Sequence, residues 1–172
     1  MRIFGIVGWK NSGKTGLMER LVADIAARGL TVSTVKHAHH AFDVDQPGKD
    51  SYRHRVAGAS EVLVASAQRY VVMHELRGAP EPPLSDLLAR LAPVDLVLIE
   101  GYKAEGHPKI EAHRAATGQP LLAHDYASVR AVASDSPLPG LGKTVFDLDD
   151  TSSISTFILR EVGLMPRAAV GS

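Results

Sequence analysis

The stretch that decides the fold is GWKNSGKT, residues 8–15, which stands between the apolar run RIFGIV and a helical pattern. It fits G-x-x-x-x-G-K-[ST] at every fixed position. Its two glycines let the backbone curl, so that successive N–H groups face one concavity beside the positive end of the next helix. Such a loop binds phosphate groups. The candidate ligand-binding residues of this loop are Gly8, Trp9, Lys10, Asn11, Ser12, Gly13, Lys14 and Thr15.

The rest of the chain alternates apolar strand-like runs with helical patterns, which indicates an α/β fold. We predict a doubly wound, mostly parallel sheet of the P-loop NTPase type, with an antiparallel edge pair formed by residues 61–76. No linker or internal repeat interrupts the pattern. We therefore predict a single nucleotide-binding domain over residues 1–164, followed by a flexible tail at 165–172.

Composition excludes several classes of function. Among 172 residues, 19 basic side chains balance 19 acidic ones, so no overall charge favours nucleic acid or a membrane surface. There is no cysteine, which removes disulfides, thiolate metal sites and thiol catalysis. No apolar run approaches the length of about 18 residues that a membrane span needs. A cytoplasmic protein is the default expectation.

Two carboxylates are candidates for catalysis and for holding Mg²⁺, together with the Thr15 hydroxyl. Glu100 follows the apolar run LVLI, and open α/β sheets bind ligands at the carboxyl ends of their strands. Asp50 lies in a loop that follows the second predicted strand and so leaves the same edge of the sheet. Helix capping by Asp50 and Ser51 is an equally good interpretation.

The loop that contains Asp50 also suggests a metal site of another kind. It carries His37, His39 and His40, and in an extended segment the first two would face the same side. Imidazole suits nickel or zinc. Because the loop follows the second strand to the rim of the phosphate site, we interpret it instead as a polar loop that serves Mg²⁺ and an anionic ligand.

Four segments together resemble the molybdopterin-guanine dinucleotide biosynthesis protein B (MobB) family. They are GWKNSGKT, HAHHAFDVDQPGKDSYRHRVAGAS, LVLIEGYK and HPKIEAHR. The resemblance implies a homodimeric, GTP-binding accessory of molybdenum cofactor maturation with weak GTPase activity. Such a protein would assist a guanylyltransferase that joins GMP to molybdopterin, with molybdopterin itself as a further ligand.

Carried onto this chain, the resemblance implies that the phosphate loop binds GTP and that Asp50 and Glu100 lie around Mg²⁺. The N-K-x-D pattern with which many GTPases recognise guanine is absent. Asp135, after a late strand, is a possible substitute, although Asp-Ser-Pro is also a common turn. Arg53 or Arg55 of a second subunit is a candidate for assisting hydrolysis.

Two alternatives remain open from the sequence. The histidine cluster suggests a metallochaperone GTPase, although such proteins usually carry long histidine tracts or cysteine. A small-molecule kinase would use Asp50 to activate a hydroxyl acceptor for phosphoryl transfer. No arginine-rich lid is evident for it in the stretch RGAPEPPLSDLLAR.

Overall fold

The computed structural model describes residues 1–38 and 42–165. Its strands are β1 (Arg2–Val7), β2 (Val32–Lys36), β3 (Glu61–Ala65), β4 (Tyr70–His74), β5 (Leu96–Glu100), β6 (Lys109–His113), β7 (Val129–Ser134) and β8 (Thr144–Asp147). Its helices are α1 (Lys14–Ala27), α2 (Asp50–Val56), α3 (Leu84–Leu88), α4 (Leu122–Asp125) and α5 (Thr151–Glu161). A 3₁₀ turn covers Ala115–Thr117.

The chain divides into two compact units. The first contains Met1–His37 and Pro93–Ser172, and the second contains Ala38–Ala92. The single domain predicted for residues 1–164 stays a prediction. Of the predicted tail at 165–172, only Met165 belongs to the described residues, and its backbone N–H donates to the Leu159 carbonyl at 3.3 Å.

The first unit is built on a six-stranded sheet in the order β2-β5-β1-β6-β7-β8. All of its strand pairs are parallel. The predicted mostly parallel α/β sheet is thereby confirmed. Because parallel neighbours end at the same edge, the segments that follow β1, β5 and β6 all begin at the carboxyl edge of the sheet.

Helices cover both faces of this sheet. Helices α1 and α5 pack on one face, where their apolar residues join those of the central strands. Leu17, Leu21 and Ile25 recur at helical spacing along α1, and all three are fully buried. Helix α4 packs on the other face, where Leu122 and Ala123 meet Val7. Strand β5 is buried on both of its faces, which agrees with its four successive apolar residues.

Strand β6 has polar residues on one of its two buried faces. Lys109, Glu111 and His113 alternate along the strand, and none is more than 8% exposed. Lys109 Nζ donates to the backbone carbonyls of Lys103 and Glu105, in the loop that connects β5 to β6. A buried ammonium therefore anchors that loop to the sheet.

The other two polar residues of β6 anchor segments farther along the chain. The Glu111 carboxylate accepts the N–H groups of Leu122 and Ala123 at 3.0 and 2.9 Å, where α4 begins. His113 Nδ1 lies 3.2 Å from the Ser134 hydroxyl at the end of β7. One strand thus fixes the loops that surround the carboxyl edge.

The second unit contains α2, α3 and the antiparallel pair β3–β4, which forms a sheet of its own. The predicted antiparallel pair over residues 61–76 is thereby confirmed, as a two-stranded sheet separate from the parallel one. Within the unit, Arg55 forms ion pairs with Asp43 at 2.7 Å, Asp45 at 3.5 Å and Glu75 at 3.4 Å.

Among residues 1–38 and 42–165, no helix has the length and apolarity needed to cross a bilayer.

Candidate functional site

The phosphate loop joins the end of β1 to the start of α1, as its sequence requires. Gly8 and Gly13 have φ angles of 149° and 93°, and Asn11 has a φ of 64°. A Cβ on Gly8 would lie 2.4 Å from the Ala112 carbonyl oxygen of β6 and 2.5 Å from Ser12 Oγ. Only glycine fits at this position, because the loop is pressed against the neighbouring strand.

The start of α1 offers several donors to an anion. The helix begins at Lys14, and its N-cap residue Gly13 supplies no side chain to bond the first-turn N–H groups. Ser12 is 2% exposed, and its hydroxyl has no hydrogen-bond partner among the described residues. Unpaired donors at a helix N-terminus, beside an orphaned buried hydroxyl, fit a bound phosphate.

Lys14 extends back across the loop, where its Nζ donates to the Trp9 carbonyl at 2.6 Å. An ammonium group carries three donors, so further donors remain for other acceptors. Burial lowers the pKa of Lys14, Glu100 raises it, and Lys103 and Lys36 lower it further. Lys103 and Lys36 therefore lie close enough to act on Lys14, and Glu100 is the one carboxylate among the described residues with a comparable effect on it. The excess of positive charge around Lys14 favours an anionic ligand.

Glu100 ends β5 at the same edge of the sheet as the phosphate loop. Its strand neighbours are Ile6 of β1 on one side and Lys36 of β2 on the other. The Glu100 side chain is 12% exposed, and its Oε1 lies 3.7 Å from Lys36 Nζ. Its predicted position at a carboxyl strand end is confirmed, and its charge raises the pKa of Lys14 in the phosphate loop.

Trp9 is held in place from two sides. Its indole Nε1–H donates to the Pro120 carbonyl at 2.8 Å, and Lys103 Nζ lies 3.9 Å from the centre of its ring system. A cation at this distance over an aromatic face is attracted to it. The anchoring of the Lys103 segment by Lys109 thus positions a positive charge over the phosphate loop.

Thr15 is an exposed residue of the first turn of α1, which begins beside the edge where Glu100 lies. Both belong to the first unit, and their joint role around Mg²⁺ stays a prediction. Oxygen ligands of this kind suit Mg²⁺.

Asp50 belongs to the second unit. It is the first residue of α2, whose N-cap residue is Lys49 and has no side-chain cap bond, so the capping interpretation is wrong. Its side chain is 87% exposed and lies 3.7 Å from Arg53.

Asp135 follows β7, as predicted. Its Oδ1 accepts the backbone N–H of Ala115 at 2.9 Å, so one carboxylate oxygen fixes the chain just beyond β6. The other oxygen belongs to an exposed side chain. Its predicted contact with guanine stays a prediction.

The histidine cluster can be followed only in part. His37 follows β2, and its ring stacks on Tyr102 with 4.5 Å between centroids and 23° between planes. His39 and His40 lie outside the described residues. Within residues 1–38 and 42–165, no group of three or more His, Asp or Glu side chains is arranged to hold a metal ion.

Sequence reasoning missed three cations of the site: Lys36, Lys103 and Arg114. Lys36 ends a strand, Lys103 lies in the loop after β5, and Arg114 directly follows β6. The sequence could have indicated all three, because each comes at or soon after the carboxyl end of a predicted strand. Arg114 also borders a cavity of about 590 Å³ beside the phosphate loop.

Comparisons with known proteins agree with this geometry. The family model of molybdopterin guanine dinucleotide synthesis protein B, MobB, matches residues 3–135. A molybdopterin-guanine dinucleotide biosynthesis adapter protein of Haemophilus influenzae is 41% identical, over 91% of this chain and 86% of its own. Its Escherichia coli namesake is 38% identical, over 91% of both chains.

The fold agrees as well. The crystal structure of a MobB protein homolog from Bacillus stearothermophilus superposes with a TM-score of 0.73 at 34% identity, and the match covers 96% of this chain and 100% of that one. With a sequence match over residues 3–135 and a shared fold, this chain belongs to the MobB family.

Proposed function

We propose that this protein binds GTP with Mg²⁺ at the phosphate loop and acts as an accessory in molybdenum cofactor maturation. In that role it assists the guanylyltransferase that converts molybdopterin to molybdopterin guanine dinucleotide. Relatives named as adapter proteins of this biosynthesis support the role, because their similarity extends over nine-tenths of the chain.

One observation carries the nucleotide assignment. The phosphate loop combines unpaired first-turn N–H groups with Lys14, and Lys36 and Lys103 add positive charge against the carboxylate of Glu100. A triphosphate carries enough negative charge to balance such a cluster, whereas a neutral ligand would leave the ammonium groups repelling one another.

The residues present suit a magnesium ion bound to that triphosphate. The Thr15 hydroxyl and the Glu100 carboxylate are oxygen ligands, which Mg²⁺ prefers. The role expected of Asp50 stays a prediction. When bound, the ion would neutralise part of the negative charge of the phosphates. The protein's own part is to hold the phosphate chain against the backbone N–H groups and to place Lys14 beside it.

We propose that hydrolysis is slow. Arg53 and Arg55, the arginines considered for assisting it, are both ion-paired within their own unit, to Asp50 and to three acids around Arg55. Releasing Arg55 from those contacts would be costly, since its side chain is only 15% exposed. Binding of GTP, rather than rapid turnover, then serves the accessory role.

The remaining parts of the proposal are a homodimer, a cytoplasmic location, molybdopterin as a further ligand and guanine recognition by Asp135. The metallochaperone and kinase alternatives predict different ligands. Tight binding of Ni²⁺ or Zn²⁺ would favour the first, and transfer of phosphate to a small acceptor would favour the second.

The test is calorimetric titration of the purified protein and its Lys14→Ala variant with GTP and Mg²⁺. We expect Lys14→Ala to weaken GTP binding by at least about tenfold, because a charge-assisted contact to phosphate is lost. Arg69→Ala, in the exposed turn between β3 and β4, is the matched control and keeps full affinity. Unchanged binding in Lys14→Ala would refute the phosphate-loop assignment.

A second measurement tests the accessory role. The wild-type protein should stimulate guanylylation of molybdopterin by the purified guanylyltransferase, and Lys14→Ala should not. Equal stimulation by both proteins would separate the accessory role from nucleotide binding and would contradict the proposal.

A further inference from the structure

Arg114 is held rigidly at the carboxyl edge of the sheet. It follows β6 directly, in an extended conformation with φ −129° and ψ 126°. Its carbonyl accepts both the backbone N–H of Thr117 at 3.0 Å and the Thr117 hydroxyl at 2.8 Å. The next residue, Ala115, donates its N–H to Asp135 at 2.9 Å. The backbone that carries the Arg114 side chain is therefore fixed on both sides.

The guanidinium of Arg114 lies against the phosphate loop. Its Nε is 3.1 Å, and its Nη2 3.6 Å, from the position that a Cβ on Gly13 would occupy. Gly13 is the residue that precedes Lys14 and caps α1. A side chain at Gly13 would displace the guanidinium, so the glycine permits the arginine to approach the backbone that binds phosphate.

Arg114 differs in its charge environment from two other arginines of the first unit, Arg20 and Arg28. Arg20 pairs with Asp149 at 3.3 Å, and Arg28 with Asp24 at 2.8 Å. Over residues 1–38 and 42–165, by contrast, no carboxylate forms an ion pair with Arg114, and its side chain is exposed. Its positive charge thus stands unneutralised beside the phosphate loop.

The cavity beside Arg114 is large enough for a phosphate-bearing ligand. It measures about 590 Å³, and it is lined by Trp9, Lys10 and Asn11 of the phosphate loop and by the segment from Arg114 to Gln119. Ligand pockets generally span about 300–1,000 Å³. Among the residues that the structure describes, the cavity lining includes two cations and no acid, which suits a ligand that carries negative charge.

We propose that Arg114 binds the phosphate chain of the nucleotide, in the same subunit as the phosphate loop. This inference rests on the proposed nucleotide site and adds a second side-chain cation to Lys14. The guanidinium donates through its planar fork to non-bridging phosphate oxygens, a geometry that lysine does not reproduce. It needs no residue of a partner subunit.

The test compares Arg114→Gln and Arg114→Lys with the wild-type protein in titrations with GTP and with inorganic tripolyphosphate. The second probe contains the phosphates without ribose or base. We expect Arg114→Gln to weaken binding of both probes by the same factor, about 10- to 100-fold, because a charged hydrogen bond is lost. Arg114→Lys should recover only part of the loss. Arg130→Gln, at the start of β7, is the matched control.

Three results would overturn the inference. The first is an unchanged GTP affinity in Arg114→Gln together with a reduced affinity in Lys14→Ala. It would show that Arg114 does not bind phosphate, and the proposed nucleotide site would not be affected. A loss for GTP alone, with tripolyphosphate unaffected, would assign Arg114 to the base or ribose. A fall in Tm that matches the loss of affinity would make its role structural. Unchanged affinity in Lys14→Ala, by comparison, would refute the nucleotide site itself.

Discussion

Glu100 and Lys36 are paired residues on neighbouring parallel strands, and the Lys36 ammonium lies 3.7 Å from the Glu100 carboxylate. Glu100 also raises the pKa of Lys14, against the effect of burial. Glu100 therefore interacts with two cations while it occupies the kind of strand end at which P-loop proteins carry an acid for Mg²⁺. Replacing the Glu100 carboxylate should therefore change the affinity for Mg²⁺ and the affinity for phosphate to different extents.

We predict that Glu100→Gln weakens the Mg²⁺-dependent part of GTP binding. The apparent affinity for Mg²⁺ should fall by about 10- to 100-fold, as is typical when a residue around a metal is lost. Binding of GTP in EDTA should fall much less, since the cations remain. Magnesium titrations at fixed GTP measure this effect. Glu19→Gln, exposed on α1, is the control, and an unchanged Mg²⁺ dependence in Glu100→Gln would contradict the prediction.

Asp135→Asn should change the base preference from guanine toward xanthine. A carboxylate accepts the N1–H and N2 amino hydrogens of guanine, whereas an amide can donate to the C2 carbonyl of xanthine. The amide oxygen can still accept the Ala115 N–H, so the local fold should persist. The ratio of GTP to XTP affinities measures the change. The same ratio in Asp135→Asn and in the control Asp125→Asn would exclude Asp135 from base recognition.

His107 should make the fold sensitive to mild acid. Its Nε2 is buried without a hydrogen-bond partner among the described residues, and it lies 2.7 Å from the position of a Cβ on Gly5. Burial, followed by the charge of Lys109, lowers the pKa of His107 from 6.5 to about 4. Between these values the unfolded chain binds a proton that the folded protein does not. The free energy of unfolding therefore falls as the pH drops through this range.

His107→Leu should remove that contribution. Relative to wild type, the variant should gain about 2 kcal/mol between pH 7.5 and pH 4.5, since part of the ring remains solvated and screened. Urea unfolding at the two pH values gives the difference. His124→Gln, at an exposed position in α4, should show no such gain. A constant difference between His107→Leu and wild type at both pH values would assign the acid sensitivity elsewhere.

Glu111→Ala should destabilise the first unit strongly. Two backbone N–H groups, of Leu122 and Ala123, would lose the Glu111 carboxylate as their acceptor in a buried environment. Each unsatisfied group costs about 1–3 kcal/mol, so a loss of about 2–6 kcal/mol is expected for the two groups. Burial raises the pKa of Glu111, because the buried environment disfavours the charged carboxylate. Thermal unfolding tests this prediction against Glu105→Ala, and equal Tm values would contradict it.

Local pattern was enough to predict most of the elements. The run RIFGIV predicts a buried strand, and β1 occupies Arg2–Val7. Apolar residues at helical spacing followed by Gly29 predict a helix, and α1 ends at Ala27. The phosphate loop and Glu100 were also predictable, because a motif between a strand and a helix, and an acid at a strand end, are both local features.

Features that depend on distant residues were not predictable in this way. The 3₁₀ turn at Ala115–Thr117 and the short helix α4 have no periodic pattern, because bonds to Asp135 and Glu111 hold their backbones. The burial of Lys109 likewise depends on carbonyls of another loop. Arg114 was missed for the same reason. The feature that suggests a role for it is its short distance from Gly13, and its neighbours along the chain do not reveal that distance.

The strand pairing of β2 with β5 sets where this protein can accept insertions. The two strands are in register, yet residues 38–92 separate them along the chain. Closing a longer loop costs only about 0.6 kcal/mol for each doubling of its length. An exposed turn of that segment, such as residues 66–69 between β3 and β4, can therefore lengthen at little cost to the pairing of β2 with β5. One residue added within β5 would instead turn Glu100 to the opposite face and remove its carboxylate from Lys36 and Lys14.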